Sequence, residues 1–262
     1  MKIGVIDVLA GGGGGDGAEG ADGAGDEARL DRLAQAETQG YAAVWVSVRE
    51  GQWASAGRSL FAVAVLAQRT RSVRVGLRSP LPGDLHPLRL AEDLASLDIL
   101  SGGRLDWAPT GAPSSETLEI VLRAWRGEPF AHRGDDYAFP ELRCLPRPEQ
   151  RPHPGLWLEP QGASLVAAAP ERTGTMVEGE LGPPPRALGD ESWATGRRHA
   201  LIYPISAEGG AGAGEWLAGL EAWRTLLDPD WILVWPEAGS GDERRAAATQ
   251  KGFAEAALHL SA

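Results

Sequence analysis

The chain has 262 residues, of which 43% are hydrophobic and 23% are charged, and its formal net charge at pH 7 is −11. This balance excludes a disordered or fibrous protein, because it supplies enough apolar surface for a substantial core. The acidic excess, without a long basic stripe, argues against a nucleic acid partner, since binding a phosphate backbone requires clustered cations.

Cysteine usage and the N-terminus bear on cell compartment. Cys144 is the single cysteine, which excludes an intramolecular disulfide, and the sequence lacks the paired spacings of a zinc site. The apolar run at the N-terminus is too short for a signal peptide, and no apolar stretch of about 18 residues follows. We therefore predict a cytoplasmic protein with no bound metal and no membrane partner.

Short β-branched segments alternate with longer amphipathic segments, a pattern typical of parallel βα units. Eight strands are predicted, at residues 2–9, 43–48, 72–78, 104–108, 155–159, 174–178, 199–205 and 231–235. Helices are predicted at 27–38, 57–69, 87–100, 114–125, 163–169, 215–227 and 242–260, with only a weak helix in the sixth connection.

Eight strands with seven or eight crossover helices fit a (β/α)8 TIM barrel, which typically has about 250 residues. A doubly wound sheet is the alternative, but it normally uses fewer strands per domain. We therefore predict a single barrel domain over residues 1–262. Residues 11–26 are mostly glycine and acidic residues, and we predict a loop there because they cannot bury enough apolar surface to offset their chain entropy.

Several segments occur in an order and spacing that point to one family. They read GYAAVWVS at 40–47, RVGL at 74–77, HPLRLAED at 86–93, LDILSGGRL at 97–105, WRGEPF at 125–130, LPRP at 145–148 and PHPGLW at 152–157. Together they resemble a divergent and shortened member of the luciferase-like monooxygenase family, the flavin- and deazaflavin-dependent oxidoreductases related to bacterial luciferase.

This resemblance covers about residues 1–178 and, more faintly, the last two βα units. It implies a (β/α)8 barrel that binds reduced FMN or, alternatively, a deazaflavin (coenzyme F-420). It also implies an oxidoreductase or monooxygenase that acts on a small organic substrate in bacterial metabolism. The expected assembly is a homodimer, or a heterodimer with a paralogue.

The chain departs from the family at the carboxyl ends of its strands, where barrels keep their chemistry. Val48, Arg49 and Glu50 stand where family members carry a histidine-containing triplet, and the connection after Trp107 is short. A second hypothesis therefore stays open: a non-catalytic luciferase-like subunit or ligand-binding protein that partners an active paralogue.

Arg49 and Glu50 are the candidate catalytic residues. They follow the second predicted strand, so both side chains are expected at the barrel mouth. A guanidinium can clamp an oxygen-rich group, and a carboxylate can act as a general base. The alternative is that the two residues pair with each other on the rim.

Five candidate cofactor-binding residues end the third and fourth strands: Arg78, Ser79, Trp107, Thr110 and Gly111. The resemblance implies that the end of the third strand supports a flavin ring, and Ser79 precedes a proline, so its next peptide bond is a candidate cis bond or a simple turn. An indole near a strand end is suited to contact a ring-shaped ligand.

Gln161, Gly162 and Ser164 are further candidate cofactor-binding residues, at the start of the helix predicted at 163–169. The resemblance implies a turn of small residues that receives the cofactor phosphate on helix amides. An ordinary helix N-cap is the alternative.

The remaining conspicuous side chains are predicted to be structural. His86 precedes a first-turn proline and is expected to cap or pack a helix, and His153 lies on the stability side of the barrel. Most of the ten tryptophans are expected in the core, including Trp45, Trp157, Trp231 and Trp235, whereas Trp53 lies near a strand end.

Overall fold

The computed structural model describes residues 1–9, 22–48, 56–81, 85–111, 114–159, 172–178, 198–205, 213–236 and 243–257. Strands over these residues are β1 (Lys2–Val8), β2 (Ala43–Ser47), β3 (Arg74–Pro80), β4 (Leu105–Thr110), β5 (Phe130–Arg133), β6 (Ala138–Leu142), β7 (Gly155–Leu158), β8 (Thr173–Glu178), β9 (Arg198–Pro204) and β10 (Trp231–Trp235). Helices are α1 (Asp22–Gln35), α2 (Ala56–Arg69), α3 (Pro87–Leu100), α4 (Ser115–Arg126), α5 (Ala213–Leu227) and α6 (Glu243–Ala257).

Eight parallel strands pair in the order β1-β10-β9-β8-β7-β4-β3-β2, and β1 pairs with β2 to close the ring. All eight strands predicted from the sequence are confirmed, as is the α/β class. Six of them are followed by a described helix, and the connections after β7 and β8, including the helix predicted at 163–169, lie outside the described residues. The complete (β/α)8 repeat therefore stays a prediction. No helix in the described ranges is long and apolar enough to cross a membrane.

Helix α1 begins at Asp22, so the loop predicted over 11–26 is wrong for its last five residues. Acidic residues near a helix N-terminus are stabilised by the helix dipole, and Asp26 also lies 3.5 Å from the Arg29 guanidinium one turn later. A prediction from the glycine-rich composition alone therefore placed the start of α1 too late in the chain. The first part of the predicted loop lies outside the described residues.

Indole rings fill the inside of the strand ring. Trp45, Trp157 and Trp231 are at most 5% exposed and pack with inward-facing aliphatic side chains from neighbouring strands. The position of Gly76, on the strand beside Trp45, requires glycine because a Cβ atom there would overlap the indole. The predicted core placement of these tryptophans is confirmed, and Trp235 is half-buried above them.

The segment Leu97–Leu105, which carries part of the family resemblance, connects α3 to β4. The Arg104 guanidinium donates to the carbonyl oxygens of Ala67 at 2.8 Å and Val73 at 2.8 Å, and so binds the end of α2 and the turn after it. The last carbonyls of a helix lack partners within the helix, so this arginine satisfies groups that would otherwise need water. Gly102 and Gly103 adopt left-handed φ angles of 65° and 73°, which favour glycine.

Asp98 is fully buried at the amino ends of the strands. Its carboxylate accepts from the backbone N–H of Gln150 at 2.8 Å and from the side-chain amide of the same residue at 2.6 Å. The Gln150 side-chain oxygen accepts in turn from Arg74, which also pairs with Asp106. Asp98, in the most recognisable segment of the sequence, therefore has a structural role.

His86 and His153, the two histidines expected to be structural, cap a helix and pack in the interior. His86 is the N-cap of α3, and its Nδ1 accepts from the backbone N–H of Leu88 at 3.2 Å. His153 is buried and stacks on Trp125 with ring centroids 6.0 Å apart.

A buried polar cluster joins α1 to β1 and α6. Arg32 is 4% exposed, pairs with Asp7 on β1, and donates to Glu243 and Gln250 on α6 at 3.0 Å each. Burial raises the pKa of Asp7 despite the opposing charge of Arg32. The cluster therefore ties the last helix to the first strand.

The antiparallel hairpin β5–β6 was not predicted. The carboxylate of Glu116 on α4 holds its turn, accepting from the backbone N–H groups of Asp136 at 2.9 Å and Tyr137 at 3.0 Å and contacting His132 Nε2 at 2.7 Å. These contacts, led by the Asp136 N–H, lower the pKa of Glu116. The hairpin lies outside the strand ring, along α3 and α4.

Glu37 closes the turn between α2 and β3. Its carboxylate accepts from the backbone N–H groups of Arg71, Ser72 and Val73 at 3.0, 2.6 and 3.1 Å and from the Ser72 hydroxyl at 2.7 Å. Burial works to raise the pKa of Glu37, but these hydrogen bonds prevail and lower it from 4.5 to about 2.

Gly76→Ala is expected to lower the free energy of unfolding by about 1–3 kcal/mol, because its methyl group would overlap the Trp45 ring in a filled interior. Gly252→Ala is the matched control, since a Cβ atom there meets nothing within 4 Å in helix α6. It is expected to be neutral or stabilising by up to about 1 kcal/mol. Urea unfolding measures both, and equal effects would contradict the close approach.

Glu37→Gln is expected to lose on the order of 1 kcal/mol of stability near neutral pH, a value discounted for the solvent around the site. Because the folded-state pKa of Glu37 is depressed, its contribution is present above pH 4.5 and is lost as the pH falls towards about 2. The difference between wild type and variant in urea unfolding should therefore shrink over that window. Glu119→Gln, which breaks an exposed pair with Arg123, should show no comparable effect.

Candidate functional site

A cavity of about 390 Å³ opens at the carboxyl end of the strand ring. Its volume lies within the usual range for small-molecule sites, and its location is the end where barrels of this type place their chemistry. The lining residues come from all eight ring strands or the residues directly after them: Ile6, Val8, Ser47, Val48, Arg78, Thr110, Glu159, Glu178, Ile202 and Trp235.

Arg78 occupies the polar side of this cavity, which we call the mouth cavity. Its Nη2 lies 3.1 Å from Glu159 Oε1 and 2.7 Å from Glu178 Oε1, and its Nη1 lies 3.4 Å from the Ser47 hydroxyl. The guanidinium therefore bridges two carboxylates from separate strands. This arrangement fixes the orientation of Arg78 before any ligand arrives.

Thr110 presents an unpartnered hydroxyl to the mouth cavity. The residue is 5% exposed, and its buried Oγ1 has no hydrogen-bond partner in the part of the chain that the structure describes. A buried polar group of this kind is costly unless a ligand or water completes it. The Thr110 hydroxyl is therefore able to bind a ligand that enters the mouth cavity.

The other side of the mouth cavity is apolar. Val8, Val48, Ile202 and the indole of Trp235 line it, and Trp235 rests on the tryptophan-filled interior below. Flat rings bind well between such apolar walls and a few placed polar groups.

The structure brings together only some of the residues predicted for the site. Arg78 and Thr110 both line the mouth cavity, and Gly111 follows Thr110 with a left-handed φ of 77°. Outside the described residues lie Arg49, Glu50, Trp53, Gln161, Gly162 and Ser164.

Trp107 does not face the cavity, contrary to the sequence-based expectation. It is 1% exposed and packs edge-to-face on Trp125 of helix α4, with centroids 6.0 Å apart. Successive side chains of a strand alternate between its faces, so Thr110 and Trp107, three residues apart, point in opposite directions. Trp107 belongs to the core between sheet and helices.

Ser79 also lies away from the cavity. It is 7% exposed and follows the inward-facing Arg78, so strand alternation places it on the helix side. The described cis peptide bonds are Leu145–Pro146 and Arg151–Pro152, and the bond between Ser79 and Pro80 is not among them. The candidate cis bond at this position is therefore wrong.

Sequence reasoning missed four polar or aromatic lining residues: Ser47, Glu159, Glu178 and Trp235. Each stands at or just after the end of a correctly predicted strand. Side chains alternate between the two faces of a strand, so every second residue faces the inside of the ring. Applied to the predicted strands, this alternation would have placed all four side chains on the inner face.

Residues 1–108 match the family model described as luciferase-like monooxygenase. The resemblance to this family is confirmed. The oxygenase component of a flavin-dependent trigonelline monooxygenase from Acinetobacter baylyi is 27% identical over 145 residues, 47% of this chain and 40% of the relative. An FMNH2-dependent dimethylsulfone monooxygenase from Pseudomonas putida is 30% identical over 109 residues, 34% of this chain and 29% of the relative.

The chain therefore spans less than half the length of these two luciferase-like relatives. Among solved structures, the monooxygenase RslO1 from Streptomyces bottropensis superposes with a TM-score of 0.79 at 23% identity, covering 100% of both chains. That similarity supports a shared fold over the whole chain.

Thr110→Val is expected to leave the unfolding free energy unchanged or to raise it by up to about 1 kcal/mol, because it removes a buried hydroxyl that has no partner. Thr70→Val is the matched control. Its hydroxyl donates to the Leu66 carbonyl at 2.7 Å and accepts from Arg104 at 2.9 Å, so the variant should be destabilised. Denaturant melts that rank the variants in the opposite order would contradict this account of Thr110.

Proposed function

We propose that the chain is a luciferase-like, flavin-dependent monooxygenase that acts on a small organic substrate in the mouth cavity of a complete (β/α)8 barrel. The observation that carries the proposal is the concentration of a bridged guanidinium, two carboxylates and an unpartnered hydroxyl at the carboxyl end of an interior otherwise filled by indole rings. The relatives named as flavin-dependent monooxygenases support the same chemistry.

The lining residues fit a flavin ring. Val8 and Val48 would contact a flat aromatic face, and the Thr110 hydroxyl would donate a hydrogen bond to a ring heteroatom. Arg78 is positioned to attract the carbonyl oxygens of such a ring. When bound, a reduced flavin would supply two electrons to molecular oxygen, so that one oxygen atom enters the substrate and the other leaves as water.

The protein's own part in the reaction is to bind, orient and exclude water. Arg78 is held rigid by Glu159 and Glu178, so it does not need to reorganise when a ligand enters. The packed interior around Trp45 and Trp157 lies below the mouth cavity, so a ligand would enter from the carboxyl ends of the strands.

We propose reduced FMN as the cofactor, and the relatives support this choice. The FMNH2-dependent enzyme favours reduced FMN, and a deazaflavin is the alternative. The phosphate site proposed at Gln161, Gly162 and Ser164, the catalytic roles proposed for Arg49 and Glu50, and a dimeric assembly remain parts of the same proposal. The non-catalytic alternative has no better support from the structure or the relatives.

A titration of the purified protein with FMN, reduced FMN and the deazaflavin under anaerobic conditions tests the proposal. Arg78→Met is expected to weaken binding by about 10–100-fold, since a hydrogen bond to a charged group contributes about 1.5–3 kcal/mol. Thr110→Val should weaken it by about 5-fold, the equivalent of one neutral hydrogen bond. Arg71→Met removes an exposed arginine far from the mouth and should leave affinity unchanged.

Circular dichroism on each variant separates loss of binding from loss of folding. Failure of the folded wild-type protein to bind any of the three cofactors would falsify the proposal. Equal losses for Arg71→Met and Arg78→Met would show that overall charge, and not the mouth cavity, governs binding.

A further inference from the structure

We infer that the mouth cavity selects an organic cation as substrate, with the charged nitrogen against Glu178 and the apolar body against Trp235. This inference rests on the proposed function, because it assigns the substrate class of the same cavity. It follows from the charges, the exposure and the strand positions of the lining residues.

The described charged residues that line the mouth cavity carry a net negative charge. Its described lining residues include the Arg78 guanidinium and the carboxylates of Glu159 and Glu178. Arg78 Nη2 already contacts both carboxylates, at 3.1 and 2.7 Å, so its charge is more than compensated within the protein. An anionic substrate would meet a net repulsion here, whereas a cation would be attracted.

Glu178 is the more accessible of the two acids. Its side chain is 59% exposed, against 26% for Glu159. A carboxylate offers two oxygens and about four acceptor positions, and the ion pair of Glu178 with Arg78 engages Oε1. Glu178 therefore retains acceptor capacity for an incoming ligand while it remains paired with Arg78.

The strand order puts an aromatic ring on the same wall as this acid. Glu178 on β8 pairs in register with Ile202 on β9, and Trp235 lies at the end of β10, the next strand in the ring. All three line the cavity. A carboxylate beside an indole face is a combination that binds protonated or quaternary nitrogens through ion pairing and cation–π attraction.

The opposite wall carries the unpartnered hydroxyl. Thr110 on β4 lies four strands away from Trp235 on β10 in either direction around the ring. The cavity thus separates a hydrogen-bonding wall suited to the flavin from an acidic and aromatic wall suited to the substrate. The cation-selecting wall consists of Glu178, Ile202 and Trp235.

Three benzyl probes that differ mainly in charge test this inference: benzyltrimethylammonium, benzyl alcohol and benzoate. Isothermal titration of the full chain, with and without FMN and at two salt concentrations, is expected to give the lowest Kd for the ammonium ion. We expect benzoate to bind at least about 10-fold more weakly, a difference of about 1.4 kcal/mol. Higher salt should narrow the difference.

Two substitutions locate the preference. Glu178→Gln should reduce the ratio between benzoate and ammonium Kd values by about 10-fold, and Trp235→Leu should weaken the ammonium ion more than the alcohol. Glu128→Gln is the matched control, because it removes one exposed acid after helix α4. An equal effect of Glu128→Gln and Glu178→Gln would overturn the inference, since the overall charge would then explain the preference.

The flavin titration on the same samples distinguishes this inference from the proposed function. Flavin binding without a preference for the ammonium probe would overturn the inference alone. A preference lost in Glu178→Gln but unaccompanied by flavin binding would overturn the proposed function and leave a cation-binding site. Binding of neither would overturn both.

Discussion

The filling of the strand ring by indoles is the constraint on which the rest of the molecule depends. Trp45, Trp157 and Trp231 take up the interior, and neighbouring positions must be small, as Gly76 is. The mouth cavity therefore lies above these rings, where the strands end. The interior packing thus decides both the stability of the barrel and the depth of its cavity.

The segments that make the family recognisable and the residues that make the cavity are largely different sets. Asp98 and Arg104 satisfy backbone groups at the amino ends of the strands and at the end of α2. Arg78 and Thr110 face the opposite end of the ring. A chain can therefore keep the segments that identify the family while the residues that line the mouth cavity change. For this reason, family membership and activity require separate tests.

The strand ring could be predicted from the sequence because every strand is a short apolar run followed by a turn or helix signal. The site was predicted only in part. Arg78 and Thr110 were placed correctly, since strand ends mark the mouth, but Trp107 was not, because an indole's size says nothing about which strand face it occupies. The hairpin β5–β6 escaped prediction because its anchor, Glu116, lies on the preceding helix and not in the hairpin's own sequence.

The hairpin gives the barrel an asymmetric exterior. It lies across α3 and α4, with Tyr137 and Phe139 against the His86 ring and Phe130 under the Arg123 guanidinium. It also lies outside the hydrogen-bonded ring, so a change in its length leaves every strand register intact. Because Arg133, Asp135 and Asp136 are exposed, the hairpin sets the charge of this flank without any change to the ring.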